Sequence, residues 1–139
     1  MIGEPAPAGP AAAPLARKLG IRAGDAVALL GAPDDLLQQS LRPLPDGVTV
    51  RRSARGDAEV TVAFFREHRV LARRMPVLAA ALAPGCALWI AWPKRASGVP
   101  TDLGDQAVRE LGLKTGLVDN KVCAIDAVWS GLRFVHRRS

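Results

Sequence analysis

Short, continuous apolar runs alternate along the chain with amphipathic or polar segments. The clearest runs are residues 26–30 and 87–92, and each is bounded by glycine and proline. Runs of five or six apolar residues without alternation are typical of parallel strands that are buried on both faces. Two further strands are predicted at 48–52 and 58–65. The first of these is less apolar and therefore lies nearer the edge of the sheet, and the second, rich in β-branched and aromatic residues, lies in its middle.

The segments between these strands carry helix signals. The longest predicted helix begins at Arg66, and its apolar positions at 71, 75, 78 and 82 share one face. Pro76 interrupts it, so we expect a kink or a restart there, with Pro76 near the first turn. Three shorter helices are predicted at 15–20, closed by Gly20, at 36–41, capped by Asp34 or Asp35, and from a cap at Asp102 to Gly112.

The end of the chain changes character and predicts an antiparallel hairpin. Its two strands are placed at 121–126 and 132–137, with 129–131 in the connection, and 119–121 is interpreted as a turn or bulge. Strands that alternate with helices predict an α/β fold with a mostly parallel sheet of about six strands and right-handed crossovers. The terminal hairpin adds an antiparallel edge.

Length and composition fit one domain. The chain has 139 residues, of which 49% are hydrophobic, enough for a packed core. Residues 1–14 are almost all Ala, Pro and Gly and are predicted to be a disordered tail, which leaves a single domain at 15–139. No apolar run approaches the roughly 18 to 20 residues of a membrane helix, and the first residues do not form a secretory signal. We therefore predict a cytoplasmic protein with no membrane partner.

The cysteines and histidines exclude the common metal sites. Cys86 and Cys123 lie far apart in apolar segments, which favours two reduced core residues. With no CxxC motif and only two histidines, no metal site is predicted.

The net charge of +6 comes from 19 Lys and Arg against 13 Asp and Glu. Arg, Ala, Gly and Pro share GC-rich codons, so part of the arginine content reflects genome composition. The excess is concentrated at 49–75, where seven cations face three anions. This basic surface is either a solvated charged face or an interaction surface for protein or nucleic acid. Its candidate residues are Arg51, Arg55, Arg69 and Arg73.

Three parts of the chain resemble the methyltransferase-type Rossmann fold in a trimmed form. They are 19–25 leading into the first strand, the helix, Pro-Gly and strand of 82–90, and the terminal hairpin. The resemblance implies the strand order 2-1-3-4-6-5, with one strand–helix pair of the family missing. It also implies a glycine-rich loop after the first strand and an acid after the second that binds ribose hydroxyls. Here 31–35 has one glycine and a proline, and Arg52 and Ser53 follow the second strand. From these departures we expect no demonstrable cofactor and no binding of S-adenosylmethionine.

Three longer segments, 24–33, 92–98 and 119–134, resemble a family of small bacterial stand-alone proteins classed as a domain of unknown function. That resemblance covers most of the predicted domain and implies no particular activity.

Ligands of open α/β sheets bind beyond the carboxyl ends of the strands. The predicted residues there include cations, hydroxyls and glycines that suit a small anionic or nucleotide-like ligand, although Asp34 and Asp35 would compete for the helix start. In the alternative interpretation, residues 94–101 are an ordinary solvated loop. The candidate ligand-binding residues are Gly31, Arg52, Ser53, Arg66, Lys94, Arg95, Ser97 and Gly98.

No catalytic residues are predicted. His68 is expected on a helix surface and His136 on an exposed strand, and Ser97 beside Gly98 lacks the Gly-x-Ser-x-Gly pattern of a nucleophile elbow. The sequence therefore favours a non-catalytic or degenerate Rossmann-like domain that binds a small anionic ligand, with the enzyme question open. The alternatives are an interaction module that uses the 51–74 basic surface and, third, an active methyltransferase.

Overall fold

The computed structural model describes residues 14–53 and 57–137, which form one six-stranded mixed sheet with helices on both faces. The strand order is β2-β1-β3-β4-β6-β5, so the predicted order and fold class are confirmed. The elements are α1 (Leu15–Lys18), β1 (Ala26–Leu30), β2 (Thr49–Arg51), β3 (Val60–Phe64), α2 (His68–Ala81), β4 (Ala87–Pro93), a 3₁₀ turn (Arg95–Ser97), α3 (Asp105–Leu113), β5 (Leu117–Ala124) and β6 (Trp129–His136). The predicted tail lies outside the described residues except for Pro14.

The four parallel strands come first in the chain, and the terminal hairpin, in which only β6 is reversed, closes the sheet. β1 pairs with β2 and β3, and β3 pairs with β4, all in parallel. β6 is antiparallel to both β4 and β5, with Trp92 opposite Ser130. Every residue of β4 is buried, as its continuous apolar sequence predicts for a central strand.

Each face of the sheet has its own apolar core. On one face, α2 and α3 bring Leu71, Met75 and Val108 against Ile90 and Phe134. On the other face, α1 and the segment after β1 cover the sheet. There the buried Trp89 donates a hydrogen bond from Nε1 to the carbonyl oxygen of Leu19 at 3.0 Å. This bond satisfies the polar atom of a fully buried indole.

The predicted helix at 36–41 is wrong, because the segment after β1 forms consecutive turns. Its backbone hydrogen bonds do not keep the constant four-residue spacing of an α-helix. The N–H of Leu36 donates to the carbonyl oxygen of Pro33, and the N–H of Leu41 donates to that of Leu36. A segment this short, closed by Pro43, gains too few helical hydrogen bonds to offset nucleation. Leu36 and Leu41 are nevertheless buried, so the segment still covers the sheet.

The long helix is continuous through Pro76, so the predicted restart is wrong. Pro76 lies on the exposed side, whereas Leu71, Met75 and Leu78 are buried, which confirms the predicted apolar face. α3 begins at Asp105 rather than directly after a cap at Asp102.

The terminal hairpin has longer strands than predicted, and 129–131 belong to β6 rather than to the connection. Only 125–128 connect the strands. Oδ1 of Asp126 accepts hydrogen bonds from the backbone N–H groups of Val128 and Trp129, both at 2.8 Å, which tightens the turn. The interpretation of 119–121 as a turn or bulge is confirmed as a bulge, since the register shifts between Asp119 and Lys121.

Within 14–53 and 57–137, no helix has both the length and the apolar character needed to cross a membrane. Cys86 and Cys123 are free thiols.

Candidate functional site

The carboxyl ends of β1 to β4 lie along one side of the sheet, which we call the carboxyl edge. The antiparallel β6 begins at this edge, so the hairpin turn 125–128 lies there too, and Pro93 pairs with Trp129. In open α/β sheets this is the side on which ligands bind. The carboxyl edge is therefore the candidate functional site.

Gly31 turns the chain sharply at the end of β1. Its φ is +71°, and a Cβ at this position would lie 3.3 Å from the carbonyl oxygen of Phe64 at the end of β3. A side chain would be strained by the backbone conformation and crowded against β3. The turn out of β1 therefore requires glycine.

An aromatic pair lies at the same edge. The rings of Phe64 and Trp129 meet edge to face, with centroids 5.0 Å apart. Trp129 is only 9% exposed and Phe64 only 7% exposed. The sequence analysis missed this pair because it assigned Trp129 to the connection, whereas pairing with Pro93 makes Trp129 the first residue of β6.

The loop after β4 is fixed to the loop after β3 by three hydrogen bonds. Thr101 Oγ1 donates to the carbonyl oxygen of Arg66 at 2.7 Å, and the N–H of Asp102 donates to the same oxygen at 3.4 Å. The N–H of His68 donates to Oδ1 of Asp102 at 2.7 Å. Asp102 therefore caps α2, not α3 as predicted from the sequence.

The predicted ligand-binding residues all follow the parallel strands and so lie along the carboxyl edge, but two of them have structural roles in the loop after β4. Ser97 Oγ donates to the carbonyl oxygen of Lys94 at 2.6 Å and accepts from the N–H of Val99 at 3.2 Å. Gly98 ends the 3₁₀ turn with φ +78°. Binding by the set Gly31, Arg52, Ser53, Arg66, Lys94, Arg95, Ser97 and Gly98 stays a prediction.

A groove of about 550 Å³ lies beside this loop. Arg95 and Gly98 line one part of it, and Asp102, Asp105 and Gln106 line another. The groove is thus lined by backbone and side chains of both charges at the carboxyl edge.

The carboxyl edge also carries carboxylates that do not directly follow a strand. The loops bring Asp102 and Asp126 to the same side as the exposed Asp34 and Asp35. Sequence reasoning missed them because it considered only the residues that directly follow each strand. The edge carries both cations and anions, which does not favour a purely anionic ligand.

The basic surface is spread over two elements. Arg51 on β2 donates a hydrogen bond to the carbonyl oxygen of Asp57 at 2.7 Å. Arg69 on α2 pairs with Glu67 at 3.1 Å, with 81% of its side chain exposed. Arg73 is exposed one turn further along α2, and Arg55 lies outside the described residues. A nucleic-acid partner for this surface stays a prediction.

No protein-family model matches the chain, and no curated protein matches it. Solved structures do. The N-methyltransferase NodS from Bradyrhizobium japonicum has a TM-score of 0.56 at 11% identity over 84% of this chain and 88% of its own. The O-methyltransferase family 2 protein from Planctomyces limnophilus, in complex with apigenin, has a TM-score of 0.61 at 8% identity over 83% of this chain. PigF with SAH has a TM-score of 0.54 at 8% identity over 81% of this chain.

The fold is that of the methyltransferases. The chain spans about half the length of the second and third of these proteins, 50% and 56%, and identities of 8–11% show the fold alone.

These comparisons contradict two expectations from the sequence. The interpretation as a non-catalytic domain for a small anionic ligand is not supported, because the solved structures that share the fold include several methyltransferases. The expectation that S-adenosylmethionine is not bound is contradicted by the same neighbours, one of which is PigF with SAH. Both expectations gave too much weight to single residues in two loops and too little to the topology.

Proposed function

We propose that this chain is a small S-adenosylmethionine-dependent methyltransferase domain that binds the methyl donor at the carboxyl edge. One observation carries the proposal: more than four-fifths of this chain, whose sheet has the order β2-β1-β3-β4-β6-β5 with β6 reversed, is similar in structure to methyltransferases. The proposal extends to the methyl donor and not to the substrate of any neighbour.

Two features of the carboxyl edge suit binding of this donor, and one residue typical of donor binding is missing. S-adenosylmethionine carries a carboxylate, an ammonium, a sulfonium and a ribose diol, so it needs partners of both charges. The edge supplies cations and carboxylates together, and Gly31 gives the sharp turn after β1. The departure is at the end of β2, where Arg52 and Ser53 replace the expected acid.

We assign the missing acidic function to Asp34 and Asp35. Both are exposed and follow Gly31 at the carboxyl edge, and carboxylates accept hydrogen bonds from ribose hydroxyls. When bound, S-adenosylmethionine would supply a sulfonium-activated methyl group, whose carbon a substrate nucleophile attacks as S-adenosylhomocysteine leaves. The residues of this chain would bind and orient the donor.

The proposal is tested by calorimetry and thermal unfolding of the purified chain with S-adenosylmethionine and S-adenosylhomocysteine, using ATP and AMP as controls. We expect both adenosyl ligands to bind and to raise Tm, by an amount equivalent to about 2.7 kcal/mol at a hundred times Kd. Binding of neither adenosyl ligand at about 1 mM, or an equal response to ATP, would overturn it.

Two pairs of variants locate the site. Gly31→Val should abolish donor binding, whereas Gly85→Val, which has a similar φ of +83° but precedes β4 at the opposite edge, should only lower Tm. The double variant Asp34→Asn/Asp35→Asn should weaken donor binding at unchanged Tm, whereas Asp46→Asn, exposed before β2, should not. Loss of binding in the control variants would place the site elsewhere.

We infer that the chain is a member of the small bacterial family of unknown function, on the strength of segments 24–33, 92–98 and 119–134. We also infer that it acts in the cytoplasm, which the free Cys86 and Cys123 support.

A further inference from the structure

We propose that the groove between α2 and α3 is a docking site for an acidic amphipathic helix of a partner protein. The groove has a volume of about 520 Å³ and lies on the helical face, away from the carboxyl edge. Ala72, Met75 and Ala79 line it from α2, and Leu111 and Leu117 line it from the other side. The proposal does not depend on methyl transfer.

The groove exists because the residues of α2 that line its wall have small side chains. Ala72, Pro76, Ala79 and Ala80 lie at three- and four-residue spacings on α2, and none has a long side chain. Met75, only 1% exposed, closes the bottom. Two packed helices thus leave a depression into which apolar side chains of a third helix can insert.

Apolar surface continues beyond the groove on α2. Val77 is 56% exposed and lies three residues before Ala80, which lines the groove, so these two residues share a face of α2. The groove and Val77 thus form an apolar strip, and an exposed apolar strip is typical of an interaction surface.

Cations flank this strip on both helices. Lys114 lines the groove beside α3, and Arg73 lies one turn before Val77 on α2. The ion pairs among the described residues, Arg69 with Glu67 and Arg109 with Asp119, involve neither of them. The adjacent Glu110 on α3 accepts a hydrogen bond from Gln106 and does not line the groove. A complementary partner therefore has an apolar stripe with acids on both flanks.

These features select a helix among the alternatives. A second copy would bring the same cations together across a symmetric contact, which is unfavourable. A small apolar acid could fill the groove but would leave Val77 exposed. Nucleic acid would gain no aromatic stacking from this apolar floor. Because α2 has 14 residues and is about 21 Å long, a partner helix of about four turns matches it.

The test uses labelled helical peptides of about 18 residues and the full chain in fluorescence anisotropy. The first peptide has a leucine stripe flanked by glutamates, and the second has lysines in place of the glutamates. The third has the residues of the first peptide in scrambled order, so that the leucines no longer share one face. We expect the acidic amphipathic peptide to bind at least tenfold more tightly than either of the others, and more weakly as salt is raised.

Val77→Asp and Lys114→Glu should each weaken this binding at least tenfold at unchanged Tm. Val122→Asp is the matched control, because Val122 is 58% exposed on β5 and does not line the groove. The proposal is overturned if the acidic peptide binds no better than its scrambled version or if Val122→Asp is equally damaging. It is also overturned if Val77→Asp abolishes a homodimer in sedimentation, or if dodecanoate or oligo-uridine binds the chain more tightly than the acidic peptide and displaces it.

Discussion

The backbone N–H of His68, the first residue of α2, donates to Oδ1 of Asp102 at 2.7 Å. The residue that precedes the helix, Glu67, makes no capping bond with its side chain. A helix that begins at the end of β3 is thus capped by the loop that follows β4. This bond ties two loops of the carboxyl edge into one unit.

Removing this cap should lower stability without disturbing the sheet. Asp102→Ala is expected to lower the free energy of unfolding by about 1 kcal/mol, because the N–H of His68 loses its acceptor. Asp102→Asn keeps an oxygen acceptor and should restore much of the loss. The measurements are urea unfolding and hydrogen exchange at His68.

The control for the cap is the exposed Asp34, where substitution by alanine should change stability by less than about 0.5 kcal/mol. If Asp102→Ala is as stable as the parent chain and exchange at His68 is not faster, the cap contributes nothing.

Gly112 on α3 lies directly against the ring of the fully buried Phe134, and a Cβ there would overlap Cε1 and Cζ of that ring. Replacing glycine by alanine inside a helix ordinarily stabilises it by about 1 kcal/mol. Here the sign should be reversed, because the added methyl group displaces a packed ring. We expect Gly112→Ala to lower the free energy of unfolding by roughly 1–3 kcal/mol, measured by urea denaturation.

A double-mutant cycle isolates this contact. Phe134→Leu creates space at the ring position, so Gly112→Ala should cost less in that background than in the parent chain. Gly104→Ala, where a Cβ meets nothing within 4 Å, should cost less than about 1 kcal/mol. If the changes in unfolding free energy caused by Gly112→Ala and Phe134→Leu are strictly additive, the two residues are not in energetic contact.

The sequence predicts the sheet better than the segments that cover it. Strands 26–30 and 87–92 are continuous apolar runs, and a buried parallel strand is the structure that satisfies such a run. The segment 36–41 carries similar apolar residues, but whether it becomes a helix depends on how many backbone bonds it can form before Pro43. Asp102 shows a second limit, because the same acid can cap either of two helices and only tertiary packing decides between them.

The sequence predicts where the candidate site lies, but not which charged side chains surround it. Topology alone puts Gly31 and Lys94 at the same edge. The carboxylates of Asp102 and Asp126 reach that edge only through loop and hairpin geometry. Trp129 is buried for the same reason, since its position is set by pairing with Pro93 rather than by any local pattern.

Both thiols should be poorly reactive at neutral pH. Burial raises the pKa of Cys123, against the opposing effect of Lys121 and Lys18, and burial followed by the charge of Glu59 raises the pKa of Cys86. A raised pKa lowers the thiolate fraction, so alkylation by iodoacetamide at pH 7 should be slower than that of glutathione. Mass spectrometry of the Cys86→Ser variant follows Cys123 alone, and urea should accelerate the reaction. Faster reaction than glutathione in the folded chain would contradict this assignment.

The amino end of β1 predicts a specific acid dependence of stability. Oε1 of Glu59 accepts a hydrogen bond from the N–H of Ala26 at 2.6 Å, and this bond is the main cause of the lowered pKa of Glu59. A carboxyl whose pKa is lower in the folded state stabilises the fold above its ordinary pKa of 4.5, and the contribution is lost as pH falls from there through the lowered pKa. Glu59→Gln should therefore be less stable than the parent chain at pH 7.

The difference between the two should shrink below pH 4.5 and vanish in strong acid, as measured by urea unfolding from pH 7 to pH 2. Glu110→Gln, at an exposed glutamate on α3, is the matched control, and its stability at pH 7 should differ from that of the parent chain by less than about 0.5 kcal/mol. A difference between Glu59→Gln and the parent chain that stays constant with pH would show that the carboxylate charge of Glu59 does not contribute to holding the start of β1.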